Sequence, residues 1–240
     1  MSAPMFLVDA LPAGDSFVLD GPEGHHAATV QRLRAGETLL LSDGRGTLAT
    51  GQVDSVGKGT VSVSLGARSV VPAPDPRLVV VQGIAKGDRG ELAVQAMTEI
   101  GVDEILPWAA SRSVAQWRGD RGFKARDKWA ATAREAAKQA RRPWLPVVGG
   151  DPDCSTKQVA ARLGASAFVL HEEATERLTT VPLPASGEIV LVVGPEGGIS
   201  DAELAAFDRA TPVRLGREVL RTSTAGVAAL SVLSARLGRW

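Results

Sequence analysis

A run of glycine and proline interrupts an apolar segment at "IVLVVGPEGGIS", residues 189–200. Its five apolar residues are typical of a strand buried on both faces, and four of the next five residues are glycine or proline. Glycines at this place would expose backbone N–H and C=O groups to a ligand that approaches closely. The alternative is a tight turn from strand to helix, because Ser200 and Glu203 form a capping-box pattern and such turns are common in α/β folds. The segment alone leaves both interpretations open.

Two further apolar segments end in polar residues: "FVLHEEA", residues 168–174, and "VRLGREVLRTSTAG", residues 213–226. Loops that meet at one edge of a parallel sheet can enclose a flat ligand with a polar rim. The sequence contains no P-loop pattern, and no dinucleotide fingerprint follows the first predicted strand of the second half. Nucleoside triphosphates and dinucleotides are therefore disfavoured as ligands. A cofactor held mainly by backbone hydrogen bonds is compatible with the pattern.

A basic segment lies between residues 112 and 142. It contains ten Lys or Arg and three Asp or Glu, so its net charge is about +7. The whole chain is neutral, with 27 Lys and Arg against 27 Asp and Glu, so any nucleic-acid contact must come from such a local patch. Four tryptophans lie in or beside it: Trp108, Trp117, Trp129 and Trp144. Basic charge with interleaved rings is typical of phosphate pairing and base stacking. The alternative is a solvated helix face with tryptophans in the core, which we favour for Trp129.

Residues 5–70 must form a different kind of structure, since short apolar runs alternate there with glycine-containing turns. The pattern predicts a small β-barrel or sandwich, with reversals at Asp43–Gly44 and Gly57–Gly59. One helix is predicted over residues 23–34, ending before Gly36. Three prolines in residues 70–77 then predict an extended linker, so we place two domains at residues 1–72 and 73–240.

The second half alternates predicted strands and helices, which indicates a mostly parallel sheet covered on both faces. The predicted strands span residues 78–84, 104–108, 167–171, 189–193 and 213–215. The predicted helices span residues 89–100 and 124–140, and a final apolar helix begins near Thr224, whose hydroxyl is a candidate cap. The three polar segments described above then lie at the carboxyl ends of the last three strands, where such sheets bind ligands.

The single cysteine, Cys154, excludes an internal disulfide and a cysteine-rich zinc site, and no metal is expected. No basic segment followed by a long apolar stretch opens the chain, and no run of about 18 apolar residues occurs in it. We therefore expect a soluble, cytoplasmic protein with no membrane partner.

Four segments of the second half, in this order, resemble the RsmE family of the SPOUT methyltransferases. They are "KGDRGELAVQAMTEIGVDEILP" (residues 86–107), "EAAKQARRPWLP" (135–146), "GPEGGIS" (194–200) and "LGREVLRTSTAGVAAL" (215–230). The N-terminal "HHAATVQRLRAGETLLLSDGRG", residues 25–46, extends the resemblance over nearly the whole chain. The ordered combination is highly specific, whereas GPEGG alone is only moderately so.

The resemblance implies an N-terminal PUA-like RNA-binding β-barrel, followed by a SPOUT α/β domain with a C-terminal deep trefoil knot. Periodicity alone would favour an unknotted topology. The resemblance further implies a homodimer that binds S-adenosylmethionine in the knot and methylates N3 of one uridine in 16S ribosomal RNA, with the small ribosomal subunit as the expected partner. By the match, the cofactor pocket is built from Leu170, His171, Gly194, Pro195, Glu196, Gly197, Gly198, Leu215, Gly216, Leu220, Arg221, Thr222, Thr224 and Ala225.

Methylation of N3 requires that the uracil lose its N3 proton, so the site needs a group that favours the uracil anion. The resemblance has Arg221 face the substrate, where it would stabilise the developing negative charge. The alternative for Arg221 is an ion pair that holds its loop. Glu196 is a candidate base near N3 or a partner of the helix that follows it, and we favour the second role.

The residues expected to contact RNA are His26, Arg32 and Arg34 in the barrel and Arg112, Arg141 and Arg142 in the basic segment. The chain departs from the family pattern at two positions, because Ser223 stands where the family usually has Glu and Met5 where it usually has Arg. These departures weaken any mechanism that needs a carboxylate at position 223, and they remove one expected phosphate contact.

Three alternatives to this enzyme are compatible with parts of the sequence. One is an RNA-binding protein without catalysis, for which the departures at Ser223 and Met5 give some support. Another is a different SPOUT methyltransferase that acts on tRNA or on a ribose 2′-hydroxyl. A nicotinamide-dependent oxidoreductase is disfavoured, since "QGIAKGDRG" after the first strand lacks the dinucleotide fingerprint.

Overall fold

The computed structural model describes residues 3–240, which form two compact units. The first unit contains the chain up to Ala73 together with Ala137–Leu145. The second contains Pro74–Ala136 and Pro146–Trp240. Sequence reasoning assigned residues 137–145 to the second domain, and the structure instead packs this short segment with the first unit.

The first unit is built on a five-stranded sheet in the order β1-β3-β4-β5-β2. Its elements are β1 (Met5–Leu7), β2 (Ser16–Leu19), α1 (Gly21–His25), a single π turn (His26–Val30), β3 (Thr38–Ser42), β4 (Thr47–Val56) and β5 (Val61–Val70). Strand β1 runs parallel to β3, and the other neighbours are antiparallel. Buried Phe6, Leu39, Leu41, Val61 and Val63 form the core of the unit.

The hairpins of this unit are confirmed, and its helix is shorter than predicted. The carboxylate of Asp43 accepts hydrogen bonds from the backbone of Arg45 and Thr47, which closes the turn between β3 and β4. The helical stretch begins at Gly21, with Pro22 in its first turn, and its π turn ends at Val30. The predicted extension to Arg34 is wrong, because Arg32 adopts a positive φ of 56° that a helix does not allow.

The segment Ala137–Leu145 is bound to the first unit by polar contacts at both ends. Lys138 is 5% exposed, and its Nζ donates a hydrogen bond to Glu23 Oε1 at 3.0 Å. The indole N–H of Trp144 donates to the Val71 carbonyl at 2.9 Å. The end of the long helix is thus a part of the first unit's structure.

The second unit contains a six-stranded sheet in the order β11-β9-β10-β6-β7-β8, and every neighbouring pair is parallel. Its elements are β6 (Arg77–Gly83), α2 (Arg89–Ile100), β7 (Glu104–Trp108), α3 (Gly119–Gln139, whose end belongs to the first unit), β8 (Val147–Val148), α4 (Thr156–Arg162), β9 (Ala167–Leu170), β10 (Glu188–Val193), α5 (Asp201–Ala206), β11 (Thr211–Val213) and α6 (Thr222–Arg236). The predicted parallel sheet is confirmed.

Both faces of this sheet are buried, as the apolar strands predicted. Alternate side chains of β6 and β10 enter two different clusters, one with Leu78 and Leu191 and the other with Val79 and Val192. Helices α2 and α6 pack together over the first face. A Cβ added at Gly226 of α6 would lie 2.6 Å from the sulfur of Met97 on α2, so a glycine is needed for this close approach.

Several element boundaries differ from the sequence prediction. Strand β11 lies two residues earlier than expected, and the two-residue strand β8 was missed. Helix α3 begins at Gly119 instead of residue 124. Helix α6 begins at Thr222, so the expected cap at Thr224 is wrong; the Thr224 hydroxyl instead donates to the Arg221 carbonyl at 3.2 Å. The trefoil knot stays a prediction.

Across residues 3–240, none of the helices is long and apolar enough to span a membrane.

Candidate active site

A cavity of about 690 Å³ lies at the carboxyl ends of β9, β10 and β11, where the sequence placed three polar segments. Its walls are residues 170–173, 193–199 and 213–222, with Ala225 from α6. Except for Thr224, every residue predicted to bind the cofactor lines this cavity. The structure therefore gathers residues that are far apart in the sequence into one concave site.

The glycine turn, residues 194–198, forms the middle wall. Gly198 has a φ of 72°, and its N–H donates to the Pro195 carbonyl at 2.9 Å. A Cβ added at Gly197 would lie 2.8 Å from the Cβ and the carbonyl oxygen of Arg112, so no larger residue fits there without a shift. The turn thus brings bare backbone up to the cavity.

The same turn also leads into α5, so the two interpretations of the segment are compatible. Ser200 and Glu203 form the predicted capping box, with Ser200 N donating to Glu203 Oε2 at 2.9 Å. Glu203 is 4% exposed, and its Oε1 accepts a 2.6 Å hydrogen bond from Ser111 N. Burial by itself raises the pKa of Glu203, but the hydrogen bonds from Ser111 and Ser200 outweigh it and hold the pKa below its ordinary value.

Residues 215–220 form a second wall with free backbone groups. Within the described chain, none of the hydrogen bonds involves the backbone N–H or C=O groups of these six residues. Buried backbone groups are nearly always paired, and an unpaired stretch at the surface of a cavity is open to hydrogen bonds from a ligand. Val219 and Leu220 of the same loop are exposed apolar side chains.

The third wall follows β9. Leu170 is half-buried, and His171 Nδ1 accepts a hydrogen bond from the backbone N–H of Glu173 at 3.3 Å. This hydrogen bond ties the imidazole to the turn that follows β9, as expected for a residue of the pocket wall. Sequence reasoning did not name Arg89, Arg214 or Arg217, which also line the cavity.

Arg221 and Glu196, the two candidate catalytic residues, have different surroundings. Arg221 is exposed at the N-cap of α6, and its guanidinium makes no hydrogen bond or ion pair with the described residues. Glu196 Oε1 accepts from Lys86 N at 3.1 Å and from Arg89 Nη1 at 3.3 Å. Its carboxylate therefore joins the glycine turn to the beginning of α2.

Thr222 connects two walls of the cavity. Its hydroxyl donates to the Gly194 carbonyl at 2.8 Å and accepts from Gln82 Nε2 at 2.9 Å. Sequence analysis did not identify Gln82 as a residue of the site, although a polar residue directly after the apolar run of residues 78–81 was a usable signal.

The expected RNA contacts divide between the two units. Arg112, in the second unit, lies at the cavity, with its Nη1 3.4 Å from the Gly197 carbonyl. The first unit holds all of the others: His26, Arg32, Arg34, Arg141 and Arg142. His26 Nδ1 lies 3.4 Å from Lys138 Nζ, so the imidazole is next to the segment that carries the last two arginines.

The tryptophans are less available for base stacking than the sequence suggested. Trp108 and Trp129 are buried, as favoured for Trp129. Trp117 packs edge-to-face on Trp129 with ring centroids 4.9 Å apart, and Trp144 is half-buried with its N–H bonded to backbone. Trp108, Trp117 and Trp129 therefore lie in or against the cores of the second unit, whereas Trp144 is held by its bond to the Val71 carbonyl.

Models of known families match most of the chain. Residues 72–234 match an RNA methyltransferase domain, and residues 19–66 match an RNA methyltransferase PUA domain. The chain is 45% identical over 249 aligned residues to ribosomal RNA small subunit methyltransferase E of Mycobacterium bovis, covering 100% of this chain and 94% of that protein. It is 30% identical to the Bacillus subtilis protein of the same name, with 91% and 90% covered. The chain belongs to the ribosomal RNA small subunit methyltransferase E family.

Solved structures agree with this family in their fold. A putative methyltransferase from Legionella pneumophila, in complex with the cofactor SAM, is 27% identical, with a TM-score of 0.85 and 98% of each chain covered. A ribosomal RNA small subunit methyltransferase E from Neisseria gonorrhoeae, bound to S-adenosyl methionine, has the same TM-score and coverage at 24% identity. The two-unit architecture is thus that of the methyltransferase E family.

The two positions at which the sequence was expected to depart from the family pattern are both buried. Met5 is 4% exposed in β1, and Ser223 is 5% exposed in the first turn of α6. Neither side chain is placed to meet RNA from the surface. Ser223 also does not line the cavity.

Proposed function

We propose that the protein transfers a methyl group from S-adenosylmethionine to N3 of a uridine in 16S ribosomal RNA. The observation that carries the proposal is the cavity at the ends of β9, β10 and β11, whose walls offer backbone groups, in a chain of the methyltransferase E family. The Legionella structure of the same fold, 27% identical, holds SAM.

The walls of the cavity fit a cofactor that is held by main-chain contacts. The glycine turn, residues 194–198, keeps side chains out of the way, and residues 215–220 have backbone groups that the rest of the described chain does not use. Leu170, Leu215 and Ala225 supply apolar surface for a flat base. When bound, the sulfonium supplies an activated methyl group with a neutral leaving group.

Arg221 is the residue that we propose acts on the uracil. Its guanidinium lies at the cavity without a partner in the described chain and carries a permanent positive charge. A hydrogen bond from it to a uracil carbonyl would stabilise the anion that forms when N3 loses its proton. The ion pair considered as an alternative role for Arg221 is not supported by any contact among the described residues.

Glu196 is better suited to positioning than to proton transfer. Its Oε1 already accepts from a backbone N–H and from Arg89, and both contacts hold the carboxylate in a fixed orientation. We therefore propose that Glu196 holds the glycine turn against α2, and that the acceptor of the N3 proton is another group.

We propose that RNA binds through His26, Arg32, Arg34, Arg112, Arg141 and Arg142. Arg32, Arg34 and Arg141 are exposed, and the last belongs to the same compact unit as the first two although it is about a hundred residues away in sequence. Exposed guanidinium groups bind phosphates with little cost in desolvation. Three of these six residues, His26, Arg32 and Arg34, lie within residues 19–66, which match the PUA domain.

We propose five further properties from membership of the family. The proposed domains are an RNA-binding unit over residues 1–72 and a catalytic unit over residues 73–240, the latter with a trefoil knot and without the segment Ala137–Leu145, which packs with the first unit. The protein acts as a cytoplasmic homodimer on the small ribosomal subunit. Sedimentation of the purified protein at several concentrations tests the dimer, and a monomer at micromolar concentration would contradict it.

The function is tested with small subunits from a host that lacks the gene. Incubation with the protein and S-adenosylmethionine should add one methyl group to 16S ribosomal RNA. A methyl at N3 blocks Watson–Crick pairing, so reverse transcription should stop at one uridine. A product that resists alkaline cleavage would indicate a ribose methyl, and labelling of tRNA alone would indicate a different substrate; either result overturns the assignment.

A further inference from the structure

Gln82 is a fully buried polar residue at the end of an apolar strand. It follows Val79, Val80 and Val81 in β6 and is 0% exposed. Its ladder neighbours are Val193 on β10 and Pro107 on β7, so apolar residues flank it on both sides. Because a buried amide is costly unless it is hydrogen-bonded, the contacts of this side chain require an explanation.

Two neighbours determine the orientation of the Gln82 amide. Its Nε2 donates to the Gly83 carbonyl at 3.1 Å and to Thr222 Oγ1 at 2.9 Å. The single hydroxyl proton of Thr222 is used in the bond to the Gly194 carbonyl, so Thr222 can only accept from Gln82. Since both neighbours need a donor, the NH₂ group must face them.

The opposite side of the same amide has no partner. Gln82 Oε1 is buried and makes no hydrogen bond with any described residue. An unpaired buried acceptor destabilises the fold, and an apolar side chain of similar length would avoid this cost. Packing therefore does not account for an amide at this position, whereas the bond to Thr222 does.

We infer that Gln82 is a positioning residue for the cofactor cavity and acts through Thr222. Gln82 does not line the cavity, but it fixes the hydroxyl that joins the glycine turn to the first turn of α6, and both of these form cavity walls. The end of β6 also packs closely against the glycine turn, because a Cβ added at Gly83, the residue after Gln82, would lie 2.6 Å from Pro195 N. This inference rests on the proposed function, in which the cavity binds the methyl donor.

The test is the affinity of purified variants for S-adenosylmethionine, measured by calorimetry. Gln82→Met keeps the volume and removes the donor, and Thr222→Val removes the hydroxyl; each should weaken binding about three- to tenfold, the effect of one neutral hydrogen bond. Thr222→Ser keeps the hydroxyl and should recover most of the affinity that Thr222→Val loses. The double variant Gln82→Met/Thr222→Val should bind no more weakly than Thr222→Val alone, because the two residues act in series.

Steady-state kinetics separates positioning from a general loss of structure. For Gln82→Met the KM for the donor should rise, while kcat at saturating donor stays within about twofold of the wild type. Unchanged donor affinity in folded Gln82→Met, or losses that multiply in the double variant, would overturn the inference. If Gln82→Met does not fold, equal affinities of Thr222→Val and Thr222→Ser would overturn it. A wild type that binds no donor would instead refute the proposed function and this inference with it.

Discussion

Arg89 Nη1 lies 3.3 Å from Glu196 Oε1, and this ion pair joins the start of α2 to the glycine turn after β10. Glu196→Gln keeps an acceptor for Lys86 N but removes the charge. We expect donor affinity to fall about two- to fivefold, since a partly exposed ion pair is worth little, and kcat to stay nearly unchanged. Calorimetry and steady-state kinetics measure the two effects.

Arg89→Gln is the matched control for this pair, because it removes the other charge and should weaken donor binding by a similar factor. A loss of kcat of a hundredfold or more in Glu196→Gln alone, with normal donor affinity, would identify Glu196 as the base.

Arg221→Met should reduce kcat far more than it reduces donor affinity. Its guanidinium is expected to meet the developing negative charge of the uracil, and removal of such a donor costs about a hundred- to a thousandfold in kcat. Donor affinity should fall much less than kcat, because the Arg221 guanidinium makes no hydrogen bond or ion pair with the described residues that would hold the cavity in shape. Methylation of small subunits under saturating donor measures the change.

Arg217→Met is the control for Arg221, since Arg217 lines the same loop and is exposed. Equal losses in the two variants would mean that Arg221 contributes only general positive charge.

Glu203→Gln should destabilise the protein at pH 7 and have little effect in acid. Its hydrogen bonds hold the pKa of Glu203 below the unfolded value, so its contribution to stability is present above the unfolded pKa of about 4 and is lost as the pH falls through the folded pKa. We expect a loss of about 1–3 kcal/mol in the free energy of unfolding at pH 7. Urea denaturation at pH 7 and pH 3.5 measures the difference.

Asp208→Asn serves as the control for Glu203, because Asp208 is exposed in the turn after α5. A stability difference between wild type and Glu203→Gln that persists unchanged at pH 3.5 would show that packing, and not the charge, is responsible.

Gly83→Ala should weaken donor binding strongly while the protein still folds. The new Cβ would meet the backbone of Pro195 and Gly194 at 2.6–2.9 Å, so the glycine turn must shift. We expect a destabilisation of about 1–3 kcal/mol and donor affinity reduced at least tenfold. Gly164→Ala is the control, since a Cβ there has nothing within 4 Å. Normal donor affinity in folded Gly83→Ala would show that the turn tolerates displacement.

Arg34→Gln and Arg141→Gln should each weaken RNA binding in a salt-dependent way. Removal of one phosphate contact lowers the slope of log affinity against log salt by about 1. Lys58→Gln, at an exposed hairpin tip of the same unit, should leave the slope unchanged. Filter binding to a 16S fragment across a salt series measures the slopes, and equal slopes for all three variants would reject the assigned contacts.

Local patterns in the sequence were sufficient for much of the second unit. Strand β7 and helix α2 have the predicted boundaries, and the predicted capping box at Ser200 begins α5. These signals were reliable because an apolar run, the glycine after a helix and a capping box each depend on residues that are close in sequence. Such signals also located the three polar strand ends that form the cavity.

Features that depend on distant contacts were not predictable in this way. The partner of Gln82 is Thr222, which lies 140 residues further along the chain in the first turn of α6, whereas the sequence directed attention to Thr224. The basic segment was interpreted either as an RNA-binding surface or as a solvated helix face with tryptophans in the core. Trp117 and Trp129 do pack in or against a core, and the last residues of the segment belong to the first unit.

The contribution of Ala137–Leu145 to the first unit affects how that unit can be isolated for study. A gene fragment that stops after Ala73 would encode all five strands, yet it would omit Lys138 and the indole bonded to Val71, leaving the Glu23 carboxylate without its ammonium partner. A stable excised version would need these nine residues appended through an engineered tether, so simple truncation at the proline-rich linker is a poor cloning strategy.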